Sequence, residues 1–147
     1  MLGRHHHIFL ADDDADDCLI FEEALREINI EVGLSMANDG KMLMSLLSDT
    51  QPSKPDLIFL DLNMPLMNGF ECLSAIRKDP ELKAIPVIIF STTAVTDFVD
   101  KAYDRGADFY VTKPESFSKM KTMLAGILSR DWGSHKAQPR RDTFVIA

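Results

Sequence analysis

The sequence predicts a doubly wound α/β domain, with five parallel strands and five helices on both faces of the sheet. Three observations predict it. Short apolar runs alternate with longer amphipathic stretches through most of the chain, and that alternation calls for parallel strands joined by right-handed crossovers. The strongest runs, Leu57-Ile58-Phe59-Leu60 and Val87-Ile88-Ile89-Phe90, are apolar without a break, as strands covered on both sides are. Pro52, Pro55, Pro80 and Gly106 fall between the runs, where chain direction must change.

The elements follow in order. His7-Ile8-Phe9-Leu10-Ala11 reads as the first strand. Ile20, Phe21, Ala24, Leu25 and Ile28 recur at helical spacing. A weaker strand follows over Val32 to Ala37. Asp39 can cap a helix that carries Met42, Leu43, Leu46 and Leu47 on one side. Pro52 and Pro55 mark a loop before the third strand, Asp56 to Asp61. The turn Met64-Pro65-Leu66-Met67-Asn68-Gly69 leads to a helix with Phe70, Leu73 and Ile76 inward. Pro86 to Phe90 is the fourth strand. Val95, Phe98, Val99, Ala102 and Tyr103 fit a helix stripe, which Gly106 ends. Phe109-Tyr110-Val111 is the fifth strand. Phe117, Met120, Leu124, Ile127 and Leu128 make the last amphipathic helix.

The pattern breaks at Arg130. Residues 1–129 therefore read as one domain, and 130–147 as a tail too short for a second one. At 147 residues, 46% of them apolar and 27% charged, the chain can bury a working core. Its net charge of −7 opposes general attraction to nucleic acid and to anionic membranes, so neither is expected as a direct partner. No apolar run approaches the ~18 residues of a membrane helix. The stretch from Met1 to Asp14 is too short in apolar residues for a signal peptide, and a cytoplasmic location is expected. Cys18 and Cys72 show no ligand or CxxC spacing and read as reduced thiols.

In a doubly wound sheet, ligands bind outside the carboxyl ends of the strands. Asp12 and Asp13 end the first strand, Asp61 the third, Ser91 and Thr92 the fourth, and Lys113 lies just past the fifth. Three carboxylates meeting at one edge repel one another, and a cation relieves the repulsion. Hard oxygen ligands of this kind suit Mg²⁺. A carboxylate beside a divalent ion and an ammonium is placed to accept a phosphoryl group as an acyl phosphate. A Ser91 hydroxyl could bind the group once transferred.

These residues resemble the receiver domains of two-component response regulators, notably single-domain members of the chemotaxis-regulator or phytochrome-regulator kind. The resemblance covers about residues 6 to 129. It rests on Asp12-Asp13 after a strand, Asp61-Leu62-Asn63-Met64-Pro65 followed by Asn68-Gly69, Ser91 after a strand, and Lys113-Pro114 after Gly106-Ala107-Asp108-Phe109-Tyr110. It implies a flavodoxin-like sheet in the order 2-1-3-4-5. Asp61 would be the phosphoacceptor. Asp13 would bind Mg²⁺ directly and Asp12 directly or through water, with the Asn63 backbone carbonyl completing the site. Lys113 would contact the phosphoryl group, and its bond to Pro114 would be cis. Ser91 and Tyr110 match the hydroxyl and aromatic switch residues, and Pro65 and Gly69 shape the turn beside the acceptor. Asn63 and Thr93 match positions that tune dephosphorylation.

The resemblance further implies a donor, either a sensor histidine kinase or a histidine phosphotransfer protein. The output would be a changed surface of helix 4, strand 5 and helix 5, offered to a partner that the sequence does not name. A homodimer through that face is compatible with it. Such a domain is a phosphoacceptor that catalyses its own phosphorylation and dephosphorylation rather than an enzyme acting on other substrates.

Simpler readings apply elsewhere. Asp14, Asp16 and Asp17 stand where the first helix begins, and acids there are favoured by its dipole. His5, His6 and His7 read as the polar start of the first strand, with a metal tract or a tag as the alternatives. Phe144-Val145-Ile146 reads as a frayed end, or else as a segment packed on a neighbour. Two functional rivals remain. A haloacid-dehalogenase-type phosphatase wants its nucleophile on the first strand and a second Asp two places later; here the acid is on the third strand and Asn63 stands there. A receiver-shaped module that is never phosphorylated usually lacks an acid or the lysine, and all are present.

Overall fold

The computed structural model describes residues 6–28, 30–49, 54–132 and 138–146; His5, Pro52 and Lys136 lie outside them. Five strand–helix units run in sequence. They are β1 (His6–Ala11) with α1 (Ala15–Glu27), β2 (Val32–Ala37) with α2 (Gly40–Ser48), and β3 (Leu57–Leu60) with α3 (Gly69–Lys78). Then come β4 (Val87–Ser91) with α4 (Thr96–Asp104) and β5 (Phe109–Thr112) with α5 (Phe117–Leu128). A short sixth strand, β6 (Val145–Ile146), follows a single 3₁₀ turn at Arg141–Thr143.

The sheet order is β2-β1-β3-β4-β5-β6, and every pairing is parallel. Side chains of a strand alternate between faces, so two cores form. Phe9, Ala11, Ile58, Leu60, Val87 and Ile89 point to the side packed by α2, α3 and α4. Ile8, Leu10, Leu57, Phe59, Ile88 and Phe90 point to the side of α1 and α5. Phe21 of α1 sits there edge-on to Phe59 at 5.0 Å and to Phe90 at 5.6 Å. Burying each such ring contributes about 1.5–3 kcal/mol.

Most predicted inward residues are buried, with exceptions at the edges of the helical stripes. Ile20, Met42 and Phe98 are each about two-fifths exposed, because Phe21, Leu43 and Val99 occupy the inward direction next to them. Phe98 instead lies edge-on over Phe70.

The tail departs from expectation. Phe144-Val145-Ile146 is not frayed. Phe144 is wholly buried, edge-on to Tyr103 of α4 at 5.0 Å and to Tyr110 of β5 at 6.3 Å. The open edge of β5 supplies unpaired backbone groups that β6 satisfies. The Tyr110 amide donates to the Phe144 carbonyl at 3.1 Å. Gln138 donates to the Tyr103 and Ala107 carbonyls, and the Tyr103 hydroxyl donates to the Pro139 carbonyl. The tail thus adds a strand to the predicted five.

Candidate functional site

Parallel pairing aligns the carboxyl ends of neighbouring strands. Ala11 lies opposite Leu60, so Asp12 and Asp61 emerge side by side. The Asp61 amide donates to the Ala11 carbonyl, and the Asp12 amide to the Ala37 carbonyl. Both carboxylates are buried, while Asp13 is exposed. One carboxylate oxygen from each of Asp12, Asp13 and Asp61 lies within 4.8 Å of the others.

Lys113 enters from β5. Ser91 lies opposite Thr112, and the Lys113 amide donates to the Ser91 carbonyl at 2.8 Å, which fixes the stem. Its Nζ lies 2.7 Å from Asp17 Oδ2, 2.8 Å from Asp12 Oδ2 and 3.3 Å from Asp61 Oδ2. Burial alone would lower its pKa, but the ion pairs with Asp12 and Asp17 and the Asp61 charge outweigh that and hold it above the ordinary lysine value. The ammonium is therefore charged throughout the physiological range.

Asp12 is the strained member. Burial pushes its carboxyl up to about 6, against the opposing pull of Lys113 and of the Asp14 amide. Its Oδ1 accepts from the Asp14 amide at 2.9 Å. Its Oδ2 has the ion pair with Lys113 but no aligned hydrogen bond. A buried carboxylate oxygen lacking an aligned donor, in a cluster of three oxygen donors, fits a hard divalent cation.

The turn after β3 holds its shape by close backbone approach. A Cβ on Gly69 would come within 2.2 Å of the Asp61 carbonyl oxygen, and one on Gly40 within 1.9 Å of the Met67 carbonyl oxygen. Leu66 takes a positive φ of 68° and is exposed, next to Pro65, whose carbonyl accepts from the Met67 amide. Asn68 caps α3 reciprocally with Glu71. Asn63 is exposed, and its amide lies 3.4 Å from Asp61 Oδ1.

Ser91 is buried, and its Oγ accepts from the Thr93 amide at 3.3 Å. Tyr110 is wholly buried and donates its hydroxyl to the Thr93 carbonyl at 2.5 Å. Burial holds its phenol above the ordinary value, opposed by Ser91 and reinforced by the Asp61 charge. The Asp61 carboxylate, the Ser91 hydroxyl and the Tyr110 ring are thus electrostatic neighbours. Pro114 is half-buried beside Lys113.

The structure thus brings Asp12, Asp13, Asp61 and Lys113 to one place. It also adds Asp17, which the sequence assigns to the helix dipole alone. No helical spacing announces it, because Asp13 stands before the N-cap Asp14 and the partner of Asp17 is Lys113, 96 residues away. Asp14 does cap that helix, accepting from the Asp16 and Asp17 amides. Cys18 and Cys72 are each pushed up to about 11 by burial, which leaves them as unreactive thiols. Among the described residues, no helix is long and apolar enough to cross a membrane.

Comparison with known proteins agrees with this geometry. Residues 8–125 match the family model of the response regulator receiver domain. The response regulator Rcp1 of Synechocystis sp. is 32% identical over 126 residues, 83% of this chain and 86% of its own. The phosphorylated cyanobacterial phytochrome response regulator RcpA superposes with a TM-score of 0.80 at 34% identity, over 92% of this chain and 99% of that one. The Mn²⁺-bound form of Rcp1 superposes with a TM-score of 0.76 at 31% identity, over 91% and 99%.

Proposed function

The chain belongs to the response regulator receiver domain family, and from that premise we propose that it is a phosphoacceptor switch operating through Asp61. The observation that carries this is the buried Asp61 carboxylate, grouped with Asp12 and Asp13 and faced by the Lys113 ammonium at 3.3 Å.

Asp12, Asp13 and Asp61, with the Asn63 carbonyl, would hold Mg²⁺; the Mn²⁺ bound by Rcp1 supports a divalent ion at such a site. When bound, the ion neutralises charge on the transferring oxygens. An Asp61 oxygen attacks the phosphorus of a phosphohistidine in line. The new O–P bond forms as the N–P bond breaks, and the imidazole leaves with the bonding pair and takes up a proton. Lys113, whose ammonium already lies 3.3 Å from Asp61 Oδ2, stabilises the negative charge on the transferring oxygens. The Ser91 hydroxyl then binds a phosphoryl oxygen. The Thr93 carbonyl, which holds Tyr110, lies two residues along the same loop, so a shift of that loop is felt at Tyr110 and across α4, β5 and α5. Phosphate favours a pre-existing arrangement that it binds better.

The donor is a histidine kinase or phosphotransfer protein. The similar RcpA is a phytochrome response regulator, which favours a light-sensing kinase. The domain acts in the cytoplasm, its docked tail sharing the sheet and core, and a cis bond before Pro114 belongs to the same reading. Its output face includes the tail, because β6 lengthens the sheet beside β5; a homodimer formed through that face has to accommodate β6.

Wild-type protein incubated with Mg²⁺ and radiolabelled acetyl phosphate should gain one acid-stable, hydroxylamine-sensitive phosphoryl group. Asp61→Asn should gain none. Full labelling of that variant would refute Asp61 as the acceptor.

A further inference from the structure

We propose that Asp17 is a positioning residue for this site: an anionic latch that keeps the Lys113 ammonium on the α1 side until a phosphoryl group draws it across. The inference rests on the reading of Asp61 as acceptor and Lys113 as its phosphoryl contact.

The distances carry it. Charge-assisted N–H···O bonds are strongest near 2.7–2.9 Å. Lys113 Nζ meets that range at Asp17 and at Asp12, while Asp61 lies farther, at 3.3 Å. Asp12 belongs to the cation cluster with Asp13 and Asp61. Asp17 does not, so its carboxylate is left to serve the lysine alone.

The position is a rigid one. Asp14 accepts from the Asp17 amide at 3.2 Å and from the Asp16 amide at 2.9 Å, which fixes the first turn of α1. The helix dipole does not require this contact. Asp16, in the same turn, serves the dipole while exposed to solvent. Asp17 is drawn half out of water and paired with a lysine 96 residues away.

The latch has two consequences of opposite sign. A carboxylate competes with a phosphoryl group for the same ammonium, so removing it should strengthen phosphoryl binding. The same removal turns the ammonium wholly toward Asp12 and Asp61 and takes away one negative charge, so divalent-ion binding should weaken. A structural defect would weaken both.

The test uses Asp17→Asn and Asp17→Ala, the second because an asparagine carbonyl can still accept from Lys113. Asp16→Asn removes the same charge from the same turn without the contact. Mg²⁺ affinity is measured alone by calorimetry. Affinity for beryllofluoride, a tetrahedral phosphoryl mimic, is measured at saturating Mg²⁺. Asp17→Ala should bind the mimic roughly fivefold tighter and Mg²⁺ a fewfold more weakly, with Asp16→Asn near wild type. In a Lys113→Met background the effect of Asp17→Ala on the mimic should vanish. If Asp17→Ala weakens both ligands, matches Asp16→Asn, or acts equally without Lys113, the latch is wrong while the acceptor reading stands. If the wild-type protein binds no mimic and takes no label, both fall together.

Discussion

At the scale of single residues, the site sets several carboxyls around one ammonium. Asp12 shows the consequence best. Burial raises its carboxyl to about 6 in the folded chain, against an ordinary value of 3.8. The folded state therefore holds that proton more tightly than the unfolded one. Its contribution to stability is fully present below about pH 4 and is lost as pH rises through about 6. A divalent cation binds the carboxylate and not the acid, so it must displace the proton below that point. Mg²⁺ affinity should fall by up to about tenfold per pH unit below pH ~6. Calorimetry in buffers of differing ionisation enthalpy should detect about one proton released near pH ~5.5 and almost none near pH ~8; equal affinity at both would contradict the assignment. Backbone crowding sets another limit. The Gly69 Cβ position falls 2.2 Å from the Asp61 carbonyl oxygen, so Gly69→Ala must displace the carboxyl end of β3. Labelling by acetyl phosphate should drop at least about tenfold, since misplacing a reacting group by about 1 Å is that costly. Asp12, Asp13, Asp61 and Lys113 were legible in the sequence because strand ends concentrate ligands. Asp17 was not, because an acid at a helix start already has an ordinary explanation and its partner is 96 residues away.

Elements are joined by contacts that periodicity does not display. Arg77, on the last turn of α3, donates to the Gly106 carbonyl, the Lys83 carbonyl, the Ile85 carbonyl and Asp108 Oδ2. Asp108 Oδ2 also accepts from the Val87 amide at the start of β4. One guanidinium thus ties α3 to the entries of β4 and β5, at the sheet end opposite the site. Burial lowers the Arg77 pKa, and Asp108 opposes the shift. The planar fork matches several acceptors at once, which an ammonium cannot do. Arg77→Ala removes the guanidinium that spans Asp108 and three backbone carbonyls and should cost about 3 kcal/mol, read as a lower denaturation midpoint with an unchanged slope. Arg77→Lys should recover less than half of that. The helices themselves were legible from apolar spacing, and Asn68 with Glu71 carries a readable capping signature. The clasp was hidden because its acceptors are mostly backbone carbonyls, which no residue type announces.

On the scale of the whole molecule, alternation of strand and helix foretold five strands and missed the sixth. Val145 and Ile146 form too short a run to read as a strand, and what recruits them is the free edge of β5. Once docked, the tail is part of the face formed by α4 and β5. Phe144 touches Tyr103 and Tyr110, Arg141 pairs with Asp100 of α4, and the Tyr110 amide is bonded to the Phe144 carbonyl. Truncating a buried phenylalanine costs about 3–5 kcal/mol when the structure around it stays in place. A terminal segment has a cheaper escape, which is to undock alone, so the observed cost is capped at the energy of local release. Phe144→Ala should therefore leave the main unfolding transition nearly intact while the amides of residues 138–146 lose protection in hydrogen exchange. The Tyr110 amide should lose protection with them, because its acceptor is in the tail. Exchange of Tyr110 at the wild-type rate in that variant, beside a fast-exchanging tail, would show that the strand edge is guarded by something other than Phe144 and its neighbours.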